Sequence, residues 1–236
     1  MRHWILLCLL VTSSTAIADE LPAKVLDLSD WMLTLPEDTD RPGKPDEIKQ
    51  TELETFSDPR YFFAAPTGGV VFRAHCGGAT TKGSSFPRCE LREMADAKNR
   101  AGWDTGGETV HTMTMKVAIA KTPPVKQHVV CAQIHDADDD LMMIRLEGTK
   151  LFIERNDVGD VMLDRKYKLG SPIELKIQAA DGHVKVWHDG DLKMDWKVSR
   201  KGCYFKAGCY TQSNTQRGDD ADSYAEVVIY DLNVRG

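Results

Sequence analysis

Three charged side chains recur at two-residue intervals in the segment FPRCELREM, residues 86–94. They are Arg88, Glu90 and Arg92. On a helix they would form solvated ion pairs, whereas on a strand alternate residues share one face of the sheet. A strand would therefore place two guanidinium groups and a carboxylate in a single row, and planar guanidinium groups suit the binding of carboxylates.

Two further segments repeat this spacing with side chains that bind carboxylates or transfer protons. CAQIHDADDD contributes Gln133 and His135, and CYFKAGCYTQ contributes Tyr204, Lys206, Tyr210 and Gln212. The residues between them are mostly apolar or small: Cys89, Leu91, Ala132, Ile134, Phe205, Ala207, Cys209 and Thr211. If the three segments are neighbouring strands, one face packs on the core and the other forms a basic groove containing proton-transfer groups.

Each segment taken alone also has an ordinary structural interpretation. A single histidine such as His135 is usually structural in a strand, and YFKAG could be a plain strand with a glycine bulge. The occurrence of all three segments in one chain favours the functional interpretation.

The rest of the chain supplies the elements that would position these side chains. Apolar and polar residues alternate over residues 112–119 and 173–177, and residues 184–196 predict a hairpin that turns near Asp189-Gly190. Further short strands are predicted over residues 129–135, 141–147, 151–155, 204–212 and 225–234. Many short alternating strands at close spacing predict an antiparallel, all-β sandwich or barrel.

One segment favours a different structure when helix propensity alone is considered. PRCELREMADAKNRA, residues 87–101, is rich in helix formers and has a proline in a plausible first-turn position. Propensity therefore predicts a helix there, on which the row of Arg88, Glu90 and Arg92 would be no more than solvated ion pairs.

RCELRE, QIH and YFKAGCYTQ together resemble the three signature segments of the alginate lyases of polysaccharide lyase family 7. VLDLSDWMLTLP (residues 25–36) and GGATTKGSSFPR (residues 77–88) also resemble that family, so the similarity covers nearly the whole chain after the N-terminus. The resemblance implies a β-jelly roll sandwich of two antiparallel sheets with substrate in a concave cleft. It also implies that RCELRE is a strand, against the helix expectation.

The resemblance further implies an enzyme that cleaves alginate, a 4-linked polyuronate, by β-elimination into 4,5-unsaturated oligosaccharides. Such a site must stabilise the charge that develops as H5 leaves a sugar whose C6 carboxylate is already ionised. A free tyrosine has a pKa of about 10, so a tyrosine base needs cationic neighbours. Members of that family with isoleucine at the position of Ile134 in QIH tend to act on guluronate-containing blocks. The resemblance therefore implies activity on those blocks here.

Residue roles follow from the same resemblance. Four residues are expected to be catalytic: Arg88, Gln133 and His135, which neutralise the carboxylate, and Tyr210, which transfers protons. His135 could also act as base for the epimer whose H5 lies on the other face. Five residues are expected to bind substrate: Arg92, Lys206, Glu90, Gln212 and Tyr204, although Glu90 could instead orient the arginines.

Two rival functions remain open at this level. A glycoside hydrolase would need two carboxyl groups at a set separation, and the motif segments offer Glu90, Glu93 and Asp136. The arginines beside Glu90 should keep it ionised and unfit as an acid. A non-catalytic polyuronate-binding sandwich would use the basic groove but would not need Tyr210 and His135 together.

Composition limits the classes of partner. The chain has 236 residues with a formal net charge of -6, which argues against nucleic acid but allows a local basic cleft for a polyanion. Neither a membrane partner nor a cofactor is expected, and we expect a monomer. No CxxC spacing occurs, so no metal site is predicted.

The N-terminus, MRHWILLCLLVTSSTAIADE, has the charged, apolar and small-residue parts of a secretory signal. We expect residues 1–18 to be a signal peptide cleaved after Ala18, residues 19–236 to form a single lyase domain, and the product to be secreted or periplasmic. Five cysteines remain after cleavage. Cys76 and Cys89 flank a glycine-rich turn, and a disulfide between them is predicted.

Overall fold

The computed structural model describes residues 20–40 and 42–236, and their secondary structure is dominated by strands. In chain order the elements are α1 (Pro22–Val25), β1 (Trp31–Thr34), β2 (Glu47–Ile48), β3 (Phe62–Ala64), β4 (Val70–His75), β5 (Arg88–Glu93), β6 (His111–Lys121), β7 (His128–His135), β8 (Asp140–Glu147), β9 (Lys150–Glu154), β10 (Val161–Asp164), β11 (Ile173–Ala180), β12 (His183–His188), β13 (Asp191–Lys197), β14 (Tyr204–Tyr210) and β15 (Tyr224–Arg235). The predicted signal peptide lies outside the described residues.

The strands form two antiparallel sheets that pack face to face, which confirms the predicted jelly-roll sandwich. The first sheet has eight strands in the order β10-β9-β8-β7-β14-β5-β1-β2, and the second has seven in the order β13-β12-β11-β6-β15-β4-β3. The three strands that carry the polar motifs, β7, β14 and β5, are therefore consecutive neighbours in the middle of the first sheet.

The predicted alternation sorts residues between the core and the surface. On β6, Met113, Met115, Val117 and Ile119 are buried between the sheets. The predicted hairpin is β12 and β13, and its turn residues Asp189 and Gly190 have φ of 50° and 84°. Two positive φ values are what the favoured two-residue hairpin turn requires.

The helix expectation for the segment after Pro87 is wrong, because residues 88–93 form strand β5. This strand pairs with β14 on one side and β1 on the other. Its odd-numbered residues Cys89 and Leu91 are fully buried in the core. Pairing on both edges and burial of one face outweigh an intrinsic helix preference, which is a small energy per residue.

The predicted Cys76–Cys89 disulfide is also wrong: both thiols are free, as are the other three cysteines of the described residues. The Cys89 thiol lies in the core and donates a hydrogen bond to the Tyr61 carbonyl oxygen at 3.3 Å. Cys76 lies beyond the end of β4, where its thiol meets the Ser213 side chain. The glycine-rich turn between them joins strands of different sheets, so their side chains reach different surroundings.

Within the described ranges, no helix is long and apolar enough to cross a bilayer. Over the same ranges, no group of three or more histidine, cysteine or acidic side chains is placed to hold a metal ion.

Candidate active site

The register of β5, β14 and β7 brings the predicted site residues onto the outward face of the first sheet, called here the charged face. Lys206 lies opposite Arg92 on one side and Gln133 on the other. Tyr204 lies opposite His135, and Tyr210 lies opposite Arg88. Side chains directly opposite each other on antiparallel strands are close enough to contact.

A glycine is required where β14 passes Glu90. Gly208 has a φ of +141°, and a Cβ there would lie 2.6 Å from the Cys89 carbonyl oxygen and 2.9 Å from the Glu90 Cα. Both contacts are with backbone, which cannot move aside as a flexible side chain could. The glycine of YFKAG therefore allows the close approach of β14 to β5 that assembles the site.

Glu90 is the centre of a buried ionic network. Its carboxylate is 1% exposed and accepts hydrogen bonds from Lys206 Nζ at 2.5 Å, from Arg88 at 3.2 Å and from the Gln133 amide. Burial opposes its ionisation, but the charges of Lys206 and Arg88 and these hydrogen bonds outweigh it and lower the pKa of Glu90. Glu90 is thus an ionised carboxylate that positions three predicted site residues.

Lys206 is the main counterion of Glu90. Its side chain is buried, and this burial lowers the pKa of Lys206 to about 8, against the raising effect of Glu90. The ammonium group is therefore charged at neutral pH and is held against the carboxylate at the floor of the charged face.

Each arginine of the row lies over a tyrosine ring. The guanidinium carbon of Arg88 is 3.9 Å from the centre of the Tyr210 ring, and that of Arg92 is 3.7 Å from the centre of the Tyr204 ring. The Nε atoms of both arginines have no hydrogen-bond partner within the structure. Both Nε atoms are buried within this face, and stacking on the rings fixes the two cations in place.

His135 is held in one tautomer by its neighbours. Its Nδ1 lies 2.7 Å from the carbonyl oxygen of Asp136, an atom that can only accept, so Nδ1 carries the proton. The Tyr204 hydroxyl lies 3.2 Å from the same nitrogen, and the two rings stack. Burial lowers the pKa of His135. The imidazole is consequently neutral, with the Nε2 lone pair available to accept a proton.

Tyr210 is partly exposed at the end of β14, and its hydroxyl lies 3.0 Å from the hydroxyl of Ser84. Sequence reasoning missed Ser84, whose only signal was its place in GGATTKGSSFPR. Gln212 follows β14 with a φ of 50° and is buried, while Thr211 before it points inward and donates to the Pro87 carbonyl oxygen. Gln212 thus lies at the rim of the predicted site, beyond the paired strand.

The carboxyl groups that a hydrolase would need have other roles. Glu93 points to the opposite side of β5, where it accepts hydrogen bonds from the Trp103 indole at 2.9 Å and the Phe205 backbone N–H at 2.7 Å. Asp136 accepts from the backbone N–H groups of the turn that follows His135. With Glu90 in its ionic network, these carboxyl groups form no pair across a common cleft.

A β-sandwich sheet with arginines, a histidine and a tyrosine on one face, and with Glu90, Glu93 and Asp136 engaged elsewhere, fits the class of polysaccharide lyases better than that of glycoside hydrolases. The family model described as alginate lyase matches residues 26–235. This chain therefore belongs to the alginate lyase family.

Comparisons with individual relatives support the same family. The chain is similar to the alginate lyase AlgAT5 of polysaccharide lyase family 7, with 49% identity and a TM-score of 0.87 over 92% of this chain and 98% of that one. It is similar to an alginate lyase from Corynebacterium sp., with 40% identity and a TM-score of 0.86 over the same shares. An alginate lyase of Klebsiella pneumoniae is 40% identical over 90 residues, which span 37% of this chain and 29% of that protein.

Proposed function

We propose that this chain is a lyase that cleaves alginate by β-elimination. The observation that carries the proposal is the convergence of Arg88, His135 and Tyr210 on one sheet face around an ionised Glu90. Cations and proton-transfer groups are what elimination from a uronate requires, and family membership names alginate as the polymer. The products would be oligosaccharides with a new C4–C5 double bond.

In this proposal the C6 carboxylate of the sugar binds beside the Arg88 guanidinium, which the Tyr210 ring and Glu90 hold in place. Charge builds on that carboxylate as H5 leaves, so a fixed guanidinium stabilises the transition state more than the ground state. Gln133 already donates to Glu90, so its main contribution is to fix this network. Arg92, over the ring of Tyr204, and Lys206 are the residues proposed to hold neighbouring uronates, and Gln212, two residues beyond Tyr210, is proposed to contact a further sugar.

Proton transfer is assigned to Tyr210. Its oxygen would take H5 and then give the proton to O4 as the glycosidic bond breaks, when H5 and the leaving group lie on the same side. For the epimer with H5 on the opposite face, the unprotonated Nε2 of His135 is the candidate base. With Tyr210 and His135 both on the charged face of the sheet, the enzyme would have a base for each of the two uronates.

Guluronate-containing blocks are the proposed preferred substrate. The basis is Ile134, which is fully buried in the core, so any effect on preference would act through the position of its neighbours Gln133 and His135. Rates on poly-mannuronate, poly-guluronate and glucuronan, measured side by side, test this preference.

Secretion or periplasmic export is proposed from residues 1–18 alone. N-terminal sequencing of protein from the culture medium or periplasm should find Asp19 first. A mature protein that retained Trp4 to Val11 would contradict it, and gel filtration of the same material tests the expected monomer.

The decisive experiment is the ultraviolet absorbance of the conjugated product. Wild type should generate it on alginate, whereas a hydrolase or a binding protein would not. Tyr210→Phe removes one hydroxyl and keeps the ring under Arg88, so circular dichroism should be unchanged while turnover nearly stops. A folded Tyr210→Phe protein with near-normal turnover on every block would remove Tyr210 from the mechanism.

A further inference from the structure

Alternate residues of one short segment lie against Tyr210: Ser84, Phe86 and Arg88. The Arg88 guanidinium covers the ring face, the Phe86 ring lies 6.3 Å from the Tyr210 ring centre, and the Ser84 hydroxyl meets the phenol oxygen at 3.0 Å. Ser84 and Tyr210 are 126 residues apart in sequence, so only the tertiary structure brings them into contact.

This segment is tied to the residues that follow Tyr210. The Pro87 carbonyl oxygen accepts hydrogen bonds from the Thr211 backbone N–H at 3.2 Å and hydroxyl at 3.1 Å. The Ser85 carbonyl oxygen accepts from the Asn214 amide at 2.7 Å. The Ser84 hydroxyl is therefore held in a fixed place relative to the tyrosine rather than meeting it by chance on a free loop.

Ser84 has partners for either direction of its hydrogen bond to Tyr210. Its oxygen lies 3.2 Å from the Phe86 carbonyl oxygen, which can only accept, and 3.1 Å from the Phe86 N–H, which can only donate. When the phenol is protonated, Tyr210 can donate to Ser84 while Ser84 donates to the carbonyl. When the phenol is ionised, Ser84 can donate to Tyr210 while accepting from the N–H.

We propose that Ser84 is a positioning residue for the elimination reaction, whose hydroxyl reverses its hydrogen bond as the Tyr210 oxygen gains a proton from C5 and then gives it up to O4. Ser84 keeps its own proton throughout: where H5 and O4 lie on the same side of the sugar, H5 moves to the Tyr210 oxygen and from there to O4. A donor is thus present for the phenolate, where a hydrogen bond to a charged group is stronger, and an acceptor is present for the phenol. This inference rests on the proposed role of Tyr210.

The test compares four proteins on alginate: wild type, Ser84→Ala, Ser84→Thr and Ser85→Ala. Ser84→Ala should lower kcat about 10- to 100-fold with little change in KM, the loss expected for one hydrogen bond to a charged group. The acid limb of its pH–kcat profile should move to higher pH, because the ionised tyrosine has lost a donor. Ser84→Thr keeps a hydroxyl and should recover most of the rate.

Ser85→Ala is the matched control, since the Ser85 side chain is exposed and the segment is anchored through its backbone. It should match wild type. The inference is overturned if Ser84→Ala has wild-type kcat, if it raises KM without moving the pH profile, or if Ser84→Thr is as slow as Ser84→Ala. Tyr210→Phe assayed alongside separates the two proposals, because an active Tyr210→Phe would overturn the proposed function itself.

Discussion

Replacing Glu90 by glutamine should destabilise the protein in a way that depends on pH. The substitution keeps the shape of the side chain but removes the negative charge that lies 2.5 Å from Lys206 and 3.2 Å from Arg88. Both cations would then be buried without a counterion. Breaking a buried ion pair by removing one partner costs about 3–5 kcal/mol, and about 3 kcal/mol is expected here because glutamine can still accept hydrogen bonds.

The pH dependence follows from Lys206. Its pKa of about 8 lies below the ordinary 10.5, so above pH 8 the unfolded chain binds a proton that the folded protein has released. The stability contribution of this lysine therefore rises with pH above 8. Without Glu90 the pKa of Lys206 in the folded protein falls further, so the rise in stability begins at a lower pH. The deficit of Glu90→Gln should thus be greatest in mild acid and shrink by about 1.4 kcal/mol per pH unit up to pH 8.

Urea unfolding followed by tryptophan fluorescence at pH 6, 7, 8 and 9 measures this deficit. Melting temperatures near pH 6 should fall by roughly 6–12 °C, at about 2–4 °C per kcal/mol for a domain of this size. The control is Glu226→Gln, because Glu226 pairs with Arg73 at 2.7 Å where both side chains are partly exposed. That pair should contribute less than about 1 kcal/mol.

Two outcomes would refute the counterion role of Glu90. One is a Glu90→Gln variant within about 1 kcal/mol of wild type at pH 6, no worse than the partly exposed control pair of Arg73 and Glu226. The other is a large deficit that stays constant between pH 6 and pH 8, which would locate the loss in packing or hydrogen bonds rather than in the buried lysine charge.

Three further substitutions have defined outcomes. Gly208→Ala forces a Cβ to 2.6 Å from a neighbouring carbonyl oxygen and should cost at least about 2 kcal/mol in urea unfolding, more than Gly83→Ala, which also has positive φ but open space around it. Arg92→Ala should raise KM more than it lowers kcat in steady-state kinetics, because a substrate-holding cation acts equally on ground and transition states; an unchanged KM would contradict this. Glu93→Ala leaves two buried N–H donors unpaired and should cost roughly 2–5 kcal/mol, with a changed near-ultraviolet dichroism; a wild-type unfolding curve would refute its structural role.

Local pattern alone was enough to predict most of the strands and the side of the sheet each residue faces. The alternation of Met113, Met115, Val117 and Ile119 predicts β6, and the structure buries all four. The physical reason is that the two-residue period of a strand is a property of the backbone, so it is written into neighbouring residues wherever one face is buried. The two-residue spacing of the polar side chains in β5, β7 and β14 likewise predicts which of them share a face of the first sheet.

Only the tertiary structure determined which of those residues contact each other. Residues 88–93 have helix-forming side chains, and pairing with β14 and β1 makes them a strand. The ion pair between Glu90 and Lys206, the free thiols of Cys76 and Cys89 and the contact of Ser84 with Tyr210 depend on which distant strands and loops become neighbours. Strand pairing and close packing join segments far apart in sequence, and no local periodicity records which partners they find.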